Sequence, residues 1–244
     1  MIRSVVSVLH ADPRSLVLEV PDWPGHVPGQ FAMLSFGPLG ISDPLLPRPM
    51  AVFMARGTRV EFRHKTVGRG TELLASLPTG SRLGIVGPLG NGFPATAEPL
   101  VLVGGGTGIA SLFELAQAHP GSQVLLGGRS KADILARQEF ATLEVDLQLA
   151  TDDGSIGHRG LVTDLLNPRP GERVYACGPT AMMQVAHEKA SKASVPSWVS
   201  LENQMACGFG VCLGGVISGR ERYRYVCTDG PVFEGESVDW ERLP

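Results

Sequence analysis

The stretch Leu100-Val101-Leu102-Val103-Gly104-Gly105-Gly106-Thr107-Gly108 decides the fold of this chain. Four consecutive apolar residues suit a strand buried on both faces, as in parallel sheets. The glycines then place bare backbone at the start of a helix whose apolar face carries Ile109, Leu112, Phe113, Leu115 and Ala116. Amide groups and the helix dipole at such a turn favour a nucleotide's phosphates, and the missing Cβ atoms let them approach. Glycine-rich turns also serve only to pack a helix on a strand, so the surrounding order of elements has to decide.

That order continues downstream with a strand over Gln123–Leu126, a helix over Ala132–Phe140 and a strand over Asp146–Ala150. A helix near Val162–Leu166, a strand over Arg173–Cys177 and a helix over Thr180–Ser191 follow. Alternating strands and helices predict a parallel sheet covered on both faces. Ligands of such sheets gather beyond the carboxyl ends of the strands, so Cys177-Gly178-Pro179 is expected to face the same crevice as Gly104–Gly108. A solitary cysteine is by default a small buried hydrophobe, and that reading of Cys177 stands beside the ligand-facing one. Arg129 and Lys131, just after the second strand, either contact a dinucleotide 2′-phosphate or are solvated surface charge.

Upstream, Ser15–Val20, Gln30–Phe36, Ala51–Met54 and Thr58–Arg63 read as short strands, with one helical patch at Thr71–Leu77. This spacing suggests a small antiparallel barrel. Arg48-Pro49-Met50-Ala51 sets an arginine beside a stiffened backbone, where its fixed donors can hold a phosphate. Val67-Gly68-Arg69-Gly70-Thr71-Glu72 is a second glycine-rich turn opening a helix. Gly87–Phe93 is either a linker turn or backbone laid against a ligand. Two phosphate-ready regions, one on a barrel and one on a parallel sheet, suit two nucleotides meeting face to face, as hydride transfer between nicotinamide and flavin requires.

The chain has 244 residues, enough for two medium domains, with 43% hydrophobic and 18% charged residues. Its formal charge of −3 and the absence of any Lys/Arg run argue against nucleic-acid binding. No stretch approaches the roughly 18 apolar residues that span a bilayer. Residues 1–8 read as a strand rather than a signal peptide, so no membrane association and a cytoplasmic location are expected. Three of the four cysteines, Cys207, Cys212 and Cys227, crowd into the last 40 or so residues. In a cytosolic chain such clustering points to metal more than to disulfides. The expected architecture is a multi-domain α+β chain. It comprises an antiparallel β-barrel (residues 1–95), a Rossmann-like α/β nucleotide domain (96–195) and a small cysteine-bearing appendage (196–244), too short to bury a core by itself.

A barrel with Arg-Pro-x-x and Gly-x-Gly-Thr, followed by a glycine-rich sheet turn and Cys-Gly-Pro, resembles the ferredoxin-NADP reductase superfamily. Within it, Gly87–Phe93, Thr151–Ser155, Ser200–Leu213 and the closing Val226–Phe233 resemble the electron-transfer subunit of class 1B dihydroorotate dehydrogenase, and the match runs in order along nearly the whole chain. The resemblance implies FAD on the barrel, NADH on the parallel sheet and a 2Fe-2S cluster in the appendage. Electrons would pass between NAD(H) and the FMN of a catalytic subunit that oxidises dihydroorotate to orotate, in a heterotetramer. The implied flavin contacts are Arg48, Pro49, Met50, Ala51, Arg63, His64, Lys65, Gly70 and Thr71. The implied nucleotide contacts are Gly104, Gly105, Gly106, Thr107, Gly108, Gly178, Pro179 and Cys177, the last near the nicotinamide. The metal ligands would be Cys207, Cys212 and Cys227.

Two departures stand out. Ala51 replaces the family's Ser or Thr and removes a hydroxyl, which predicts weaker FAD binding rather than none. Gly215 stands where the third of four cluster cysteines belongs, and a 2Fe-2S cluster normally takes four protein ligands. Neither Ser218 nor Asp229 sits at the required spacing to substitute. A free-standing NAD(P)H-flavin reductase without a cluster, and a non-catalytic assembly subunit, are therefore the competing readings.

Overall fold

In the computed structural model, which describes residues 1–243, strands β1 (Ile2–Ala11), β2 (Ser15–Glu19), β3 (Phe31–Ser35), β4 (Arg48–Arg56), β5 (Arg59–Arg63) and β6 (Arg82–Leu89) close a barrel in the order β1-β2-β5-β4-β3-β6. Closure leaves no open strand edge. Its interior is filled by Val6, Val8, Leu16, Leu18, Leu34, Val60, Phe62, Leu83 and Ile85. Helix α1 (Arg69–Ala75) caps this core through Leu74, which is fully buried.

The second sheet is built on β7 (Leu100–Gly105), β8 (Gln123–Gly128), β9 (Asp146–Thr151), β10 (His158–Arg159), β11 (Arg173–Cys177) and β12 (Ser197–Ser200), all parallel. Strand β7 is buried at every position, as its run of apolar residues followed by glycines predicts. A two-stranded ribbon, β13 (Val216–Ser218) and β14 (Tyr223–Tyr225), precedes β15 (Val232–Glu234), which pairs antiparallel with β12 at the sheet's edge. The full order is β10-β9-β8-β7-β11-β12-β15. The expected boundary at 196 therefore falls just before a strand of the parallel sheet. The tail leaves the sheet, forms the cysteine loop and comes back.

Three expected helices differ. The chain after β7 is wound as a tight 3-10 turn over Gly106–Leu112 before α2 (Phe113–Ala118) begins. The Ala132–Phe140 segment is a 3-10 turn at Lys131–Asp133 and a single α-turn, α3 (Arg137–Phe140), separated by Ala136 with φ 52°. Asp133 explains the break, because its carboxylate is drawn out of the helix path by Lys65 Nζ at 2.9 Å and Ser130 Oγ at 3.1 Å. The 162–166 helix is likewise a 3-10 turn, Val162–Leu165. Helix α4 (Thr180–Lys192) forms close to its expected bounds.

The barrel and the sheet are held together by packing and by charge. Phe53 of β4 stacks on Phe113 of α2 with ring centroids 4.3 Å apart, and Phe93 stacks on the buried Tyr175 of β11 at 5.0 Å. Lys65 reaches Asp133, and Arg63 reaches Glu139 at 3.2 Å. Glu114 of α2 accepts the Ala55 amide at 3.0 Å and lies 2.6 Å from His26. Among the described residues no helix is long and apolar enough to cross a membrane.

Candidate functional site

One cavity of about 270 Å³ opens at the junction. The barrel lines it with Arg48, Ala51, His64 and Thr71, and the sheet with Thr107, Ser111, Cys177 and Glu202. The two glycine-rich turns expected to hold separate nucleotides thus open onto one common space. A second cleft, about 430 Å³, runs from Gly105 and Gly106 along Gly127, Gly128, Arg129 and Asp152 past Pro179 and Met182. Lys65 borders both.

On the barrel side, α1 packs so closely that a Cβ at Gly70 would overlap the Arg48 guanidinium, which places that cation beside the 67–71 loop. The Arg48 group donates to the Leu46 carbonyl at 2.7 Å and is otherwise available to an anion. The Thr71 hydroxyl is engaged within the loop. It accepts the amides of Val67 (2.8 Å) and Gly68 (3.2 Å) and donates to the Gly68 carbonyl. These bonds fix the loop, and Thr71 borders the cavity. His64 is 2% exposed, yet neither ring nitrogen has a partner. Burial holds its pKa below the usual histidine range, so the ring is neutral at pH 7 and offers one donor and one acceptor. Buried polar atoms without partners are rare, and a ligand filling the cavity is what would satisfy them. Arg48, Gly70 and His64 therefore fit a bound flavin nucleotide.

On the sheet side, the glycines divide into two kinds. Gly108 lies against the backbone of Cys177 and Gly178, where a Cβ would overlap the Cys177 carbonyl. This contact presses the two turns together. Gly106, with φ +59° and nothing within 4 Å of a Cβ, faces the open cleft. The cleft with its bare backbone fits the phosphates of a dinucleotide. Cys177 is 2% exposed, with Sγ 3.6 Å from Ser111 Oγ and 3.7 Å from the Ser200 carbonyl. Burial pushes its thiol up to about 12. It is a protonated wall of the cavity and not a nucleophile. At the cleft's outer end Arg129 is 85% exposed and only 3.7 Å from Asp133, while Lys131 lies outside that cleft and borders a groove with Arg14, Arg63 and Arg137.

The cysteine loop lies against the barrel wall next to the cavity. Cys227 packs with Phe31, Met33 and Leu89. Asn91 fastens the segment by donating to the carbonyls of Thr228 and Asp229, both at 3.1 Å. The Gly87–Phe93 stretch thus anchors the tail, with Gly90 pressed on Pro231 and Gly230. Cys207 Sγ accepts the amides of Phe209 (3.5 Å) and Cys212 (3.4 Å), and Cys212 Sγ accepts that of Gly214 (3.5 Å). The Gly214 amide and the neighbouring Cys207 draw the Cys212 thiol down to about 7. Amide donors to cysteine sulfurs are what iron–sulfur loops supply, so Cys207 and Cys212 fit such a cluster, while Cys227 is buried among Phe31, Met33 and Leu89 and burial pushes its thiol up. The fourth position has no donor. Gly215 has no side chain, Ser218 is held in β13 opposite Tyr223, and Asp229 Oδ2 accepts the Tyr225 amide at 2.7 Å. Among the described residues no three His, Cys, Asp or Glu side chains converge where one metal ion would sit.

Sequence reading missed Ser111, Ser200 and Glu202 as cavity residues, and Asp133 as the partner of Lys65. Ser111 was findable as the one hydroxyl within the apolar run Ile109–Phe113.

A barrel and a parallel sheet sharing a nucleotide-sized cavity define the flavin- and pyridine-nucleotide-dependent reductases. The chain is similar to the structure described as an NADH-dependent reduced ferredoxin-NADP oxidoreductase, with a TM-score of 0.83 and 30% identity over 98% of this chain and 91% of that one. It shares its fold with a ferredoxin NADP+ reductase from Neisseria gonorrhoeae (TM-score 0.61, 15% identity, 84% and 95% covered). Family models match an oxidoreductase NAD-binding domain over residues 102–188 and the iron-sulfur cluster binding domain of dihydroorotate dehydrogenase B over 202–239. The dihydroorotate dehydrogenase B (NAD(+)) electron transfer subunit of Desulforamulus reducens is 36% identical over 231 residues, covering 88% of this chain and 87% of that protein. The corresponding subunit of Bacillus caldolyticus is 38% identical over 226 residues, with 86% of each covered. The chain belongs to this family of electron transfer subunits.

Proposed function

We propose that this chain carries electrons between NAD(H) and a partner dihydroorotate dehydrogenase subunit, with FAD as its own redox group. The observation that carries this reading is the common cavity, where His64 and Arg48 from the barrel face Thr107 and Cys177 from the sheet. Bound there, FAD supplies hydride chemistry, and the protein supplies position and exclusion of water. Arg48 and the backbone at Gly70 would hold the flavin's phosphates, and His64 would meet its polar atoms. Gly104–Thr107 and Gly178–Pro179 would hold the dinucleotide, with Gly108 locking the two turns. The Cys177 thiol, kept protonated, lines the space without reacting. Three units follow the chain: a flavin barrel, a dinucleotide sheet and the cysteine loop that borders the barrel. The partner would be an FMN-containing subunit forming orotate, in a heterotetramer.

The test is to purify the chain with and without the co-expressed catalytic subunit. Flavin bands near 450 nm, anaerobic bleaching by NADH and orotate-linked NADH turnover only in the complex are expected. Colourless protein that cannot be loaded with FAD would sink the reading. Gly215 favours one second reading, a cluster-free NAD(P)H-flavin reductase acting on soluble acceptors. Efficient NADH oxidation by the isolated chain with small acceptors, and no stable complex, would favour it.

A further inference from the structure

Between the β1–β2 turn of the barrel and the segment after β8 lies a groove of about 700 Å³, a size suited to a small ligand. It shares only Arg63 with the flavin cavity and no residue with the dinucleotide cleft. Its charge is one-sided. The two carboxylates that line it, Asp12 and Glu139, are both engaged. Asp12 accepts the amides of Arg14 (2.7 Å) and Ser15 (2.9 Å) and lies 2.8 Å from His10, while Glu139 holds Arg63 at 3.2 Å. Among the described residues, the side chains of Arg14, Lys131 and Arg137 take part in no ion pair. Three unpaired cations thus line one space whose acids are already committed. The backbone that brings two of them there is strained. Ala136 has φ 52°, a left-handed conformation that is costly for a residue with a Cβ. This kink separates the 3-10 turn at Lys131 from the α-turn that starts at Arg137, and both cations end up on the same groove. The Ser155 hydroxyl pins the segment by accepting the Lys131 amide at 2.7 Å.

We propose that this groove is a further anion site, separate from both cofactor sites, that takes a small polyphosphate, free or esterified to a nucleoside. Three unpaired cations call for several negative charges on one small molecule. A triphosphate carries them, and a single carboxylate does not. The guanidinium forks of Arg14 and Arg137 match phosphate oxygens two at a time, and Lys131 adds a point charge. The cofactor sites meet phosphates with bare glycine backbone, whereas this groove meets them with side chains. Arg63 joins the two regions: it donates to Ser15 Oγ at 3.1 Å inside the groove and also borders the flavin cavity. The groove's occupant therefore sits one side chain away from the flavin. The site itself stands on the groove's own residues and not on the flavin reading.

The experiment saturates the full-length chain with FAD and NAD+ and titrates it by calorimetry with tripolyphosphate and, separately, with ATP at constant ionic strength. A double variant, Arg14→Ser with Arg137→Ser, is run beside it, with the urea midpoint as the check of folding. At least one of the two probes should bind the wild type, and binding should weaken by about tenfold for each cation removed. Lys131→Gln, a single exposed change, should weaken it by about tenfold and carries the test should the double variant not fold. Binding of both probes would make the phosphates the whole ligand, and binding of ATP alone would make the nucleoside part of it. Three results would overturn the proposal: no binding of either probe, binding unchanged in folded variants, or binding that saturating NAD+ abolishes. The last would place the probe in the dinucleotide cleft. FAD content and bleaching by NADH, measured on separate samples, report on the proposed function.

Discussion

Glycine at 108 and glycine at 215 mean opposite things. Gly108 sits where a single extra carbon would strike the Cys177 carbonyl, so its absence of side chain is what allows two ligand-facing turns to touch. Gly215 sits where a side chain has ordinary room and unstrained backbone. One glycine is demanded by packing, and the other is not. The nucleotide half of the molecule is therefore specified by its own fold. The metal half keeps the fold and lacks a donor. A short motif cannot separate these cases, because both are glycines beside a cysteine-bearing segment.

The largest expected effect breaks the first side of this contrast. Gly108→Ala forces the 104–108 turn away from Cys177 and Gly178, and overpacking against backbone should cost about 3 kcal/mol. Urea unfolding would measure it, and the dinucleotide cleft should widen enough to weaken NADH binding. Unchanged stability would mean the two turns are less tightly apposed than the contact implies.

How much of this was legible beforehand follows the strength of local pattern. Strand β7 and strand β11 were readable because unbroken apolar runs have few alternatives. The barrel was readable because its strands are separated by strong turn residues. Strands β12 and β15 were not, since Trp198-Val199-Ser200 and Val232-Phe233-Glu234 are too short to show a period, and their pairing joins residues more than thirty apart. The helix expected at 132–140 failed because a long-range partner, Lys65, outbids helix propensity at Asp133. Arg48, His64, Gly70 and the turns at 104–108 and 177–179 were legible from motif order. The orphaned nitrogens of His64 were not, because only the fold reveals what a side chain lacks.

A middle-sized effect tests whether charge as well as packing joins the two halves. Lys65, with Ser130 and Arg129, holds the Asp133 carboxyl below the usual carboxylate range. A depressed folded-state pKa adds stability that is complete above the unfolded pKa near 4 and fades as pH falls through the folded value. Both partners are partly exposed, so Asp133→Asn should cost less than about 1 kcal/mol at pH 7. The gap to wild type should narrow as the pH drops below about 4. A gap that persists unchanged at low pH would assign the effect to side-chain shape instead of charge.

The smallest expected effect sharpens the other side of the contrast. If Gly215 is free of packing duty, Gly215→Ala should leave folding intact. It should even stabilise by about 0.5 kcal/mol, because alanine has less freedom to lose on folding than glycine. Iron retained after reconstitution with iron(II) and sulfide should not increase, since alanine brings room-filling carbon without a donor. The pair Gly215→Ala and Gly215→Cys thus separates filling the space from supplying the ligand. A loss above about 1 kcal/mol in Gly215→Ala would show that glycine is structurally required there after all. The missing donor would then be a consequence of the loop's packing, and the two glycines would no longer differ in kind.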